Sequence, residues 1–390
     1  MGEYMYSSKV LAVSDDGSLA AISSEYFPNG EYNANTIVVP HFYLYNRADG
    51  SLKEIKELEN YYTNSAAFAG NQLFVNANKV LLEGGYETDD KMFSVSISDL
   101  SVKTLDAPVM RRTDSKLNPV GDGIIFLCDS NKNIAYISAD GKCSTWVYAD
   151  NDEQDAGKEI VDGKYAVRGD KAALLVKGTI ESAEYISVYS VSGEELSVLD
   201  CAPGYDSEVC NIFWQNDDTV GVFLSDNTVS LFDAGTGNLK AEIALKGMGE
   251  EPVSVAPVTD DTFAVLCRDS CIYEMNEKGL TGRSCRLEFG SDEENAIREY
   301  DSSEADKFET QSAPGGSHIY AVWGGYKAWL LDTEKFAVRY RIDDFAAAPA
   351  DSDVVFISDD LRSRLGFFPV YTTEQLLGAA REYLTGLGEM

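Results

Sequence analysis

The sequence predicts an all-β chain assembled from a repeated four-strand unit. Three observations point to it. Short runs rich in Val, Ile, Leu, Phe and Tyr recur from one end to the other. Asp-Gly, Asp-Asp, Gly-Gly and Asn-Gly turn signals separate them at spacings of roughly 8 to 12 residues. Helical periodicity is almost absent.

The clearest unit runs from Cys210 to Leu245. CNIFW is its first strand, TVGVFLS a second after an Asn-Asp-Asp turn, TVSLFDA a third after Asp226-Asn227, and NLKAEIAL a fourth after Gly235-Thr236-Gly237. Each connection is short enough for a hairpin, so the four strands make one antiparallel sheet. The phrase then recurs along the whole chain. KVLAVSDDGSLAAISS opens it at Lys9, and FYLYNRADGSLKEIKEL resumes it after an insertion around Pro28 to Asn35. SAAFAGNQLFVNANKVLLEG and KMFSVSISDLSVKTL follow from Ser65, and further units open at Leu117, Ile160, Val253, Thr310 and Phe345. Counting the Cys210 unit, these make eight phrases of roughly 49 residues, inside the period of propeller blades.

A four-stranded blade has two apolar faces and cannot bury them alone, so neighbours must stack radially into a closed ring. The expected architecture is a single β-propeller over residues 1–371, with eight blades favoured. Seven is the alternative, because the first two units carry insertions and could be divided differently. The last unit supplies three strands. GEYMYSS, with Tyr4 and Tyr6 alternating, is expected to supply its fourth, so that pairing of the N-terminal strand with the last blade leaves no open edge. Residues 372–390 differ in kind. Thr372 and Gln375 form a capping-box pattern, and Leu376, Leu377, Ala380, Tyr383, Leu384 and Leu387 share a helical face. A short C-terminal amphipathic helix packed on the propeller is expected, with partner docking as the sharper reading of the same stripe.

The charge narrows the partners. The chain carries 32 Lys and Arg against 65 Asp and Glu, a net −33, which argues against binding nucleic-acid phosphate or anionic membrane. No run approaches the roughly 18 to 20 apolar residues of a bilayer span, and MGEYMYSSKV has no basic segment leading into an apolar one. The seven cysteines are odd in number and lack a framework spacing, which suits reduced thiols. A cytoplasmic monomer without cofactor is expected.

At TVSLFDAGTGNLKAEI the chain resembles WD-repeat propellers, whose third strand alternates aliphatics, ends in an aromatic and Asp, and passes through a Thr-Gly turn to the outer strand. Phe232 and Asp233 stand where that family usually has Trp-Asp, and Thr236-Gly237 match the turn. The repeat period covers nearly all of the chain, whereas the residue motif is good in this one blade. The family's Gly-His pair is missing, since the two histidines are His41 and His318. The closing PVYTTEQLLGAAREYL is similar to the short helix after the last blade in some large bacterial WD-repeat proteins, where the propeller is one module of a signalling chain. The resemblance implies a non-catalytic platform for proteins or peptides, in a bacterial cytosol.

Catalytic patterns are not assembled. No Gly-x-Ser-x-Gly elbow, His-Glu-x-x-His pair or phosphate-binding glycine loop occurs, and neither histidine has a nameable partner for general-base work. SADGKCSTW at 138–146 resembles the Asp box of sialidases, but its spacing is wrong and it does not recur. Asp150, Asp152, Glu153 and Asp155 make a weak calcium candidate, lacking the central glycine and later bidentate Glu of a dedicated loop. Cys267 and Cys271 should face one another across a hairpin, with Cys285 on the outer strand; three sulfurs without a fourth ligand argue against zinc. The acidic stretch 291–309 reads as a solvated excursion, with a basic partner as the sharper reading.

In a propeller, the outer-to-inner connections and the turns between second and third strands gather on one face. This places Tyr61, Tyr62, Arg111, Arg112, Tyr205, Met248, Arg268 and Tyr326 there, and aromatic and Arg side chains on loops favour binding hot spots. A partner-binding module is thus the leading expectation. The alternative is a propeller binding a ligand, glycan or calcium, or a hydrolase using channel carboxylates.

Overall fold

The computed structural model describes residues 4–27, 39–79, 90–108, 110, 116–128, 133–147, 158–178, 184–199, 207–287, 308–312, 318–323, 327–343, 345–347, 354–357 and 370–372. Among them lie seven four-stranded antiparallel sheets and one three-stranded sheet, each a meander in which consecutive strands pair. In chain order the sheets span 4–54, 61–105, 118–147, 158–198, 209–244, 252–286, 308–343 and 345–372. The one helical element among the described residues is the 3-10 turn Lys56–Leu58.

The fifth sheet shows why the phrase folds this way. TVGVFL is buried at all six positions and sits between two partner strands, so it is almost wholly apolar, whereas in the outer strand Leu239–Ala244 only Ile243 is buried. Its last hairpin is closed by Asp233, whose Oδ1 accepts from the Thr236 backbone N–H and hydroxyl, each at 2.9 Å. Gly237 follows at φ 73°, where an added Cβ would lie 2.0 Å from the Val198 carbonyl oxygen. Only glycine fits there. Elsewhere Asp16, Asp49 and Asp99 each accept the backbone N–H two residues on, which is how the Asp-rich punctuation ends one strand and starts the next.

The chain divides into two compact units. One holds the first three sheets and the last; in it the first strands of successive sheets lie side by side, with Tyr4–Val13 between Phe345–Ala347 and Tyr61–Ala69. The other holds sheets four to seven, with their first strands adjacent in chain order. Neither unit has one central core. Apolar clusters fill the spaces between neighbouring sheets, such as Phe42, Leu44, Phe68, Val75 and Phe93 between sheets one and two. In the other unit Trp214, Val220, Val222 and Phe232 pack on sheet four, and Trp329 and Leu331 of sheet seven on Leu266 and Ile272 of sheet six. Burial between repeats is how a thin sheet survives in water.

Two expectations are corrected. GEYMYSS is not a separate strand: Tyr4 and Met5 pair with Phe27 and Tyr26 in the first sheet, as part of the ten-residue strand Tyr4–Val13. No turn residue interrupts Tyr4 to Val13, so the strand simply runs on through two bulges. Thr372 is the last residue of the strand Val370–Thr372 rather than a helix cap, and the remainder of the expected helix, 373–390, lies outside the described residues.

Candidate functional site

In the second unit, two connections meet at the strand ends where the first strand begins. One links the outer strand of sheet five to Pro252–Pro257; the other is the turn between Phe263–Cys267 and Cys271–Asn276. Both expected residues are here. Arg268 N–H donates to the Glu251 carbonyl at 3.0 Å, and its Nε forms an ion pair with Glu251 Oε2 at 2.9 Å. Met248 sits between Gly247 and Gly249, its Sδ 3.7 Å from Cys267 Sγ. Gly249 N–H donates to the Tyr273 hydroxyl at 3.1 Å, and Asp269 Oδ1 accepts from Cys271 N–H at 3.0 Å inside a turn that holds Ser270 at φ 64°. The two connections are therefore interlocked. Burial, then the Asp269 charge, pushes the Cys267 thiol far up from its ordinary value, and burial also raises Cys271.

In the first unit, Tyr61 and Tyr62 are the first two residues of Tyr61–Ala69 rather than loop residues, because aromatic side chains extend the strand. Tyr61 packs edge-on against Phe93 at 5.1 Å, and Lys91 Nζ donates to its hydroxyl at 3.4 Å. Half-buried, it packs against the core between sheets one and two, in a strand where a loop was expected. Tyr62 pairs in register with Asn78 and is half-buried. Beside it Asn64 Nδ2 donates to Asn78 Oδ1, and Ser65 Oγ accepts from Leu117 N–H at 3.0 Å. Asn76 is 1% exposed, yet neither its amide nitrogen nor its oxygen has a protein partner, and Asp90 Oδ1 is buried in the same condition. Arg111, Arg112, Tyr205 and Tyr326 lie outside the described residues, as do Asp150, Asp152 and Asp155.

Sequence reasoning missed three arrangements. His41 has a partner after all: its Nδ1 is 2.5 Å from Glu54 Oε1, while its ring lies edge-on to Tyr26 at 4.8 Å and parallel to Tyr43 at 6.2 Å. The signal was the pairing of Tyr43 with Glu54, which sets His41, two residues earlier, on the same face as the carboxylate. At 8% exposure it is a buried residue. A polar cleft of about 400 Å³ lies at the opposite strand ends of the second unit, lined by Arg168, Asp217, Asp218, Lys240 and Asp260 among others. Its cations are already engaged, Arg168 with Asp217 at 2.7 Å and Lys240 with Asp233 at 3.2 Å. Lastly, the buried carboxylate of Glu274 is held by Arg283, which also reaches the turn of the neighbouring sheet. Among the described residues no three His, Cys, Asp or Glu side chains form a metal-holding group, and no helix is long and apolar enough to cross a membrane.

No protein-family model matches the chain, and no curated protein matches it. Solved structures do. Sqt1 from Chaetomium thermophilum, a β-propeller protein, superposes with a TM-score of 0.55 at 12% identity over 95% of this chain and 96% of its own. The computationally designed Ika8 protein gives 0.53 at 11% identity over 95% of this chain and all of its own. The likeness shows the fold, a β-propeller, and at such identities nothing more.

Proposed function

We propose that the chain is a non-catalytic β-propeller module, its eight sheets serving as blades, that binds a protein or peptide through the strand ends bearing Met248 and Arg268 in the second unit. The observation that carries this reading is the interlocked pair of connections around Met248 and Arg268. Loops tied to one another by side-chain and backbone bonds present a fixed surface, which lowers the ordering cost of association. Arg, Met and Tyr are the residue types that anchor such surfaces. The net charge of −33 supports a partner with basic character over one bearing phosphate.

The test is affinity capture from the source organism's lysate, followed by titration of the identified partner. Alanine at Met248 or Arg268 is expected to weaken binding roughly thirtyfold or more, the signature of a hot spot. Asp170→Ala, at an exposed first-to-second-strand turn, is expected to leave it unchanged. Affinity equal to the parent's in both the Met248 and the Arg268 variants overturns the assignment.

A further inference from the structure

We propose that Cys267, Cys271 and Met248 form a binding site for a soft monovalent metal ion, copper(I). The sixth sheet sets the two thiols. Leu266 pairs with Ile272, which makes Cys267 and Cys271 the next facing positions on either side of the turn, with side chains on the same face of the sheet. The third sulfur arrives from the connection before that sheet. Gly247 takes φ 83°, a conformation natural to glycine, and Gly249 is bonded to Tyr273, so that Met248 is folded inward with Sδ 3.7 Å from Cys267 Sγ.

The spacing suits a shared ion. Metal–sulfur bonds of about 2.3 Å hold two ligand sulfurs roughly 3.8–4.0 Å apart at tetrahedral to trigonal angles, so Met248 and Cys267 need scarcely move. Two thiolates and a thioether are a soft donor set, which selects copper(I) over zinc; zinc wants four nitrogen or sulfur ligands. The surrounding charge agrees, for Asp269 and Glu250 lie within electrostatic reach of Cys267 and favour a bound cation. Cys271 and Met248 are half-buried, giving the ion a way in, while Cys267 is fully buried at the back. Binding is an exchange in which one copper(I) ion displaces the two thiol protons to solvent and becomes bonded to two thiolates and one thioether. Buried thiols ordinarily pack as small apolar groups. What distinguishes this pair is the thioether already at ligand distance. The site stands independently of whether the same loops receive a protein partner.

The experiment is anaerobic titration of the whole chain with copper(I), in ascorbate and in competition with bicinchoninate, read by the ultraviolet thiolate-to-copper charge-transfer band. One ion per chain is expected, with the charge-transfer band saturating at that ratio. Cys267→Ser and Cys271→Ser are expected to weaken binding by more than the roughly tenfold to hundredfold lost with an outer-shell partner. Met248→Leu, a half-buried change of similar volume, is expected to lose roughly tenfold and keeps the test open if a serine variant fails to fold. Met248→Leu binding as tightly as the parent, or a band that disappears in Cys143→Ser, overturns the proposal.

Discussion

Replacing Arg283 by Met should destabilise the second unit strongly for a residue that reaches the surface. Glu274 is 1% exposed and its carboxylate accepts from Arg283 Nε at 2.6 Å and from the Thr281 hydroxyl at 2.7 Å, with a second guanidinium contact through Nη2. Arg283 Nη1 also donates to the carbonyls of Thr333 and Glu334, both at 2.8 Å, in the last turn of sheet seven, and the guanidinium stands 5.5 Å from the Phe336 ring. One side chain therefore neutralises a buried anion of its own sheet and clasps the next. Removing one member of a buried pair costs about 3–5 kcal/mol, because the other charge is left unpaired. Arg283 is 38% exposed, so water enters the gap and the lower end, about 3 kcal/mol, applies. At a few degrees per kcal/mol for a cooperative unit of 150–250 residues, that is a fall of roughly 6–12 °C in Tm. Methionine keeps the stem's apolar contact, so the loss reports the charge. The assay is thermal and urea unfolding followed by tryptophan fluorescence, Trp329 lying fully buried in the same inter-sheet core. The pair of changes Glu274→Met with Arg283→Met should recover at least half of the loss, since two apolar groups leave no stranded charge. A loss below about 1 kcal/mol for Arg283→Met, or a double variant no better than the single one, refutes the account.

Gly237→Ala should destabilise severely, since its φ is 73° and the new methyl would meet the Val198 carbonyl at 2.0 Å; Gly50→Ala, at φ 67° with nothing within 4 Å, should cost only the backbone term of about 1–2 kcal/mol. Equal losses in urea unfolding would mean that the contact between the hairpin and sheet four does not matter. The Asp233 carboxyl is held down to about 2 by the Thr236 backbone N–H, then its hydroxyl, then Lys240. Its folded value lies below the unfolded one, so it contributes stability above about pH 4 that is lost as pH falls towards 2. The stability gap between the parent and Asp233→Asn should therefore close over that window, and a gap that stays constant from pH 6 to 2 would show that the carboxylate's charge is not what the hairpin uses.

Legibility in the sequence followed the kind of interaction. The repeat was legible because alternation and Asp-rich turns are local: the strand at Val209–Asn216 starts one residue from the expected Cys210, and Pro252–Pro257 one residue from Val253. The end strand was misread because nothing in GEYMYSS distinguishes pairing with a neighbour in sequence from pairing with the last unit. Local pairing is the shorter loop to close and it prevailed. In the second unit, the placement of Met248 and Arg268 on the connections between strands was legible from strand order alone. Tyr61 was not, because an aromatic at a strand end serves equally as core or contact, and only the position of Phe93 decides. Glu54 beside His41 and Arg283 beside Glu274 depend on side-chain direction in paired strands, which a linear reading without register does not supply.

Asn76 shows where packing alone stops explaining the sequence. The second sheet needs its middle positions for the core: Phe74 and Met92 face sheet three, and Val75 and Phe93 face sheet one. One step further along, the same strand changes character to Asn76 and Asn78, opposite Ser65 and Tyr62. An apolar side chain at position 76 would carry no polar cost, whereas an amide stripped of water with neither atom bonded costs about 1–3 kcal/mol. A sheet that buries Phe74 and Val75 completely can carry such a cost. Stability therefore does not account for the asparagine, and the polar row it heads, Asn76 and Asn78, lies opposite Ser65 and Tyr62 at the start of the first strand. The strand is apolar where it packs on the neighbouring sheets and turns polar towards its end.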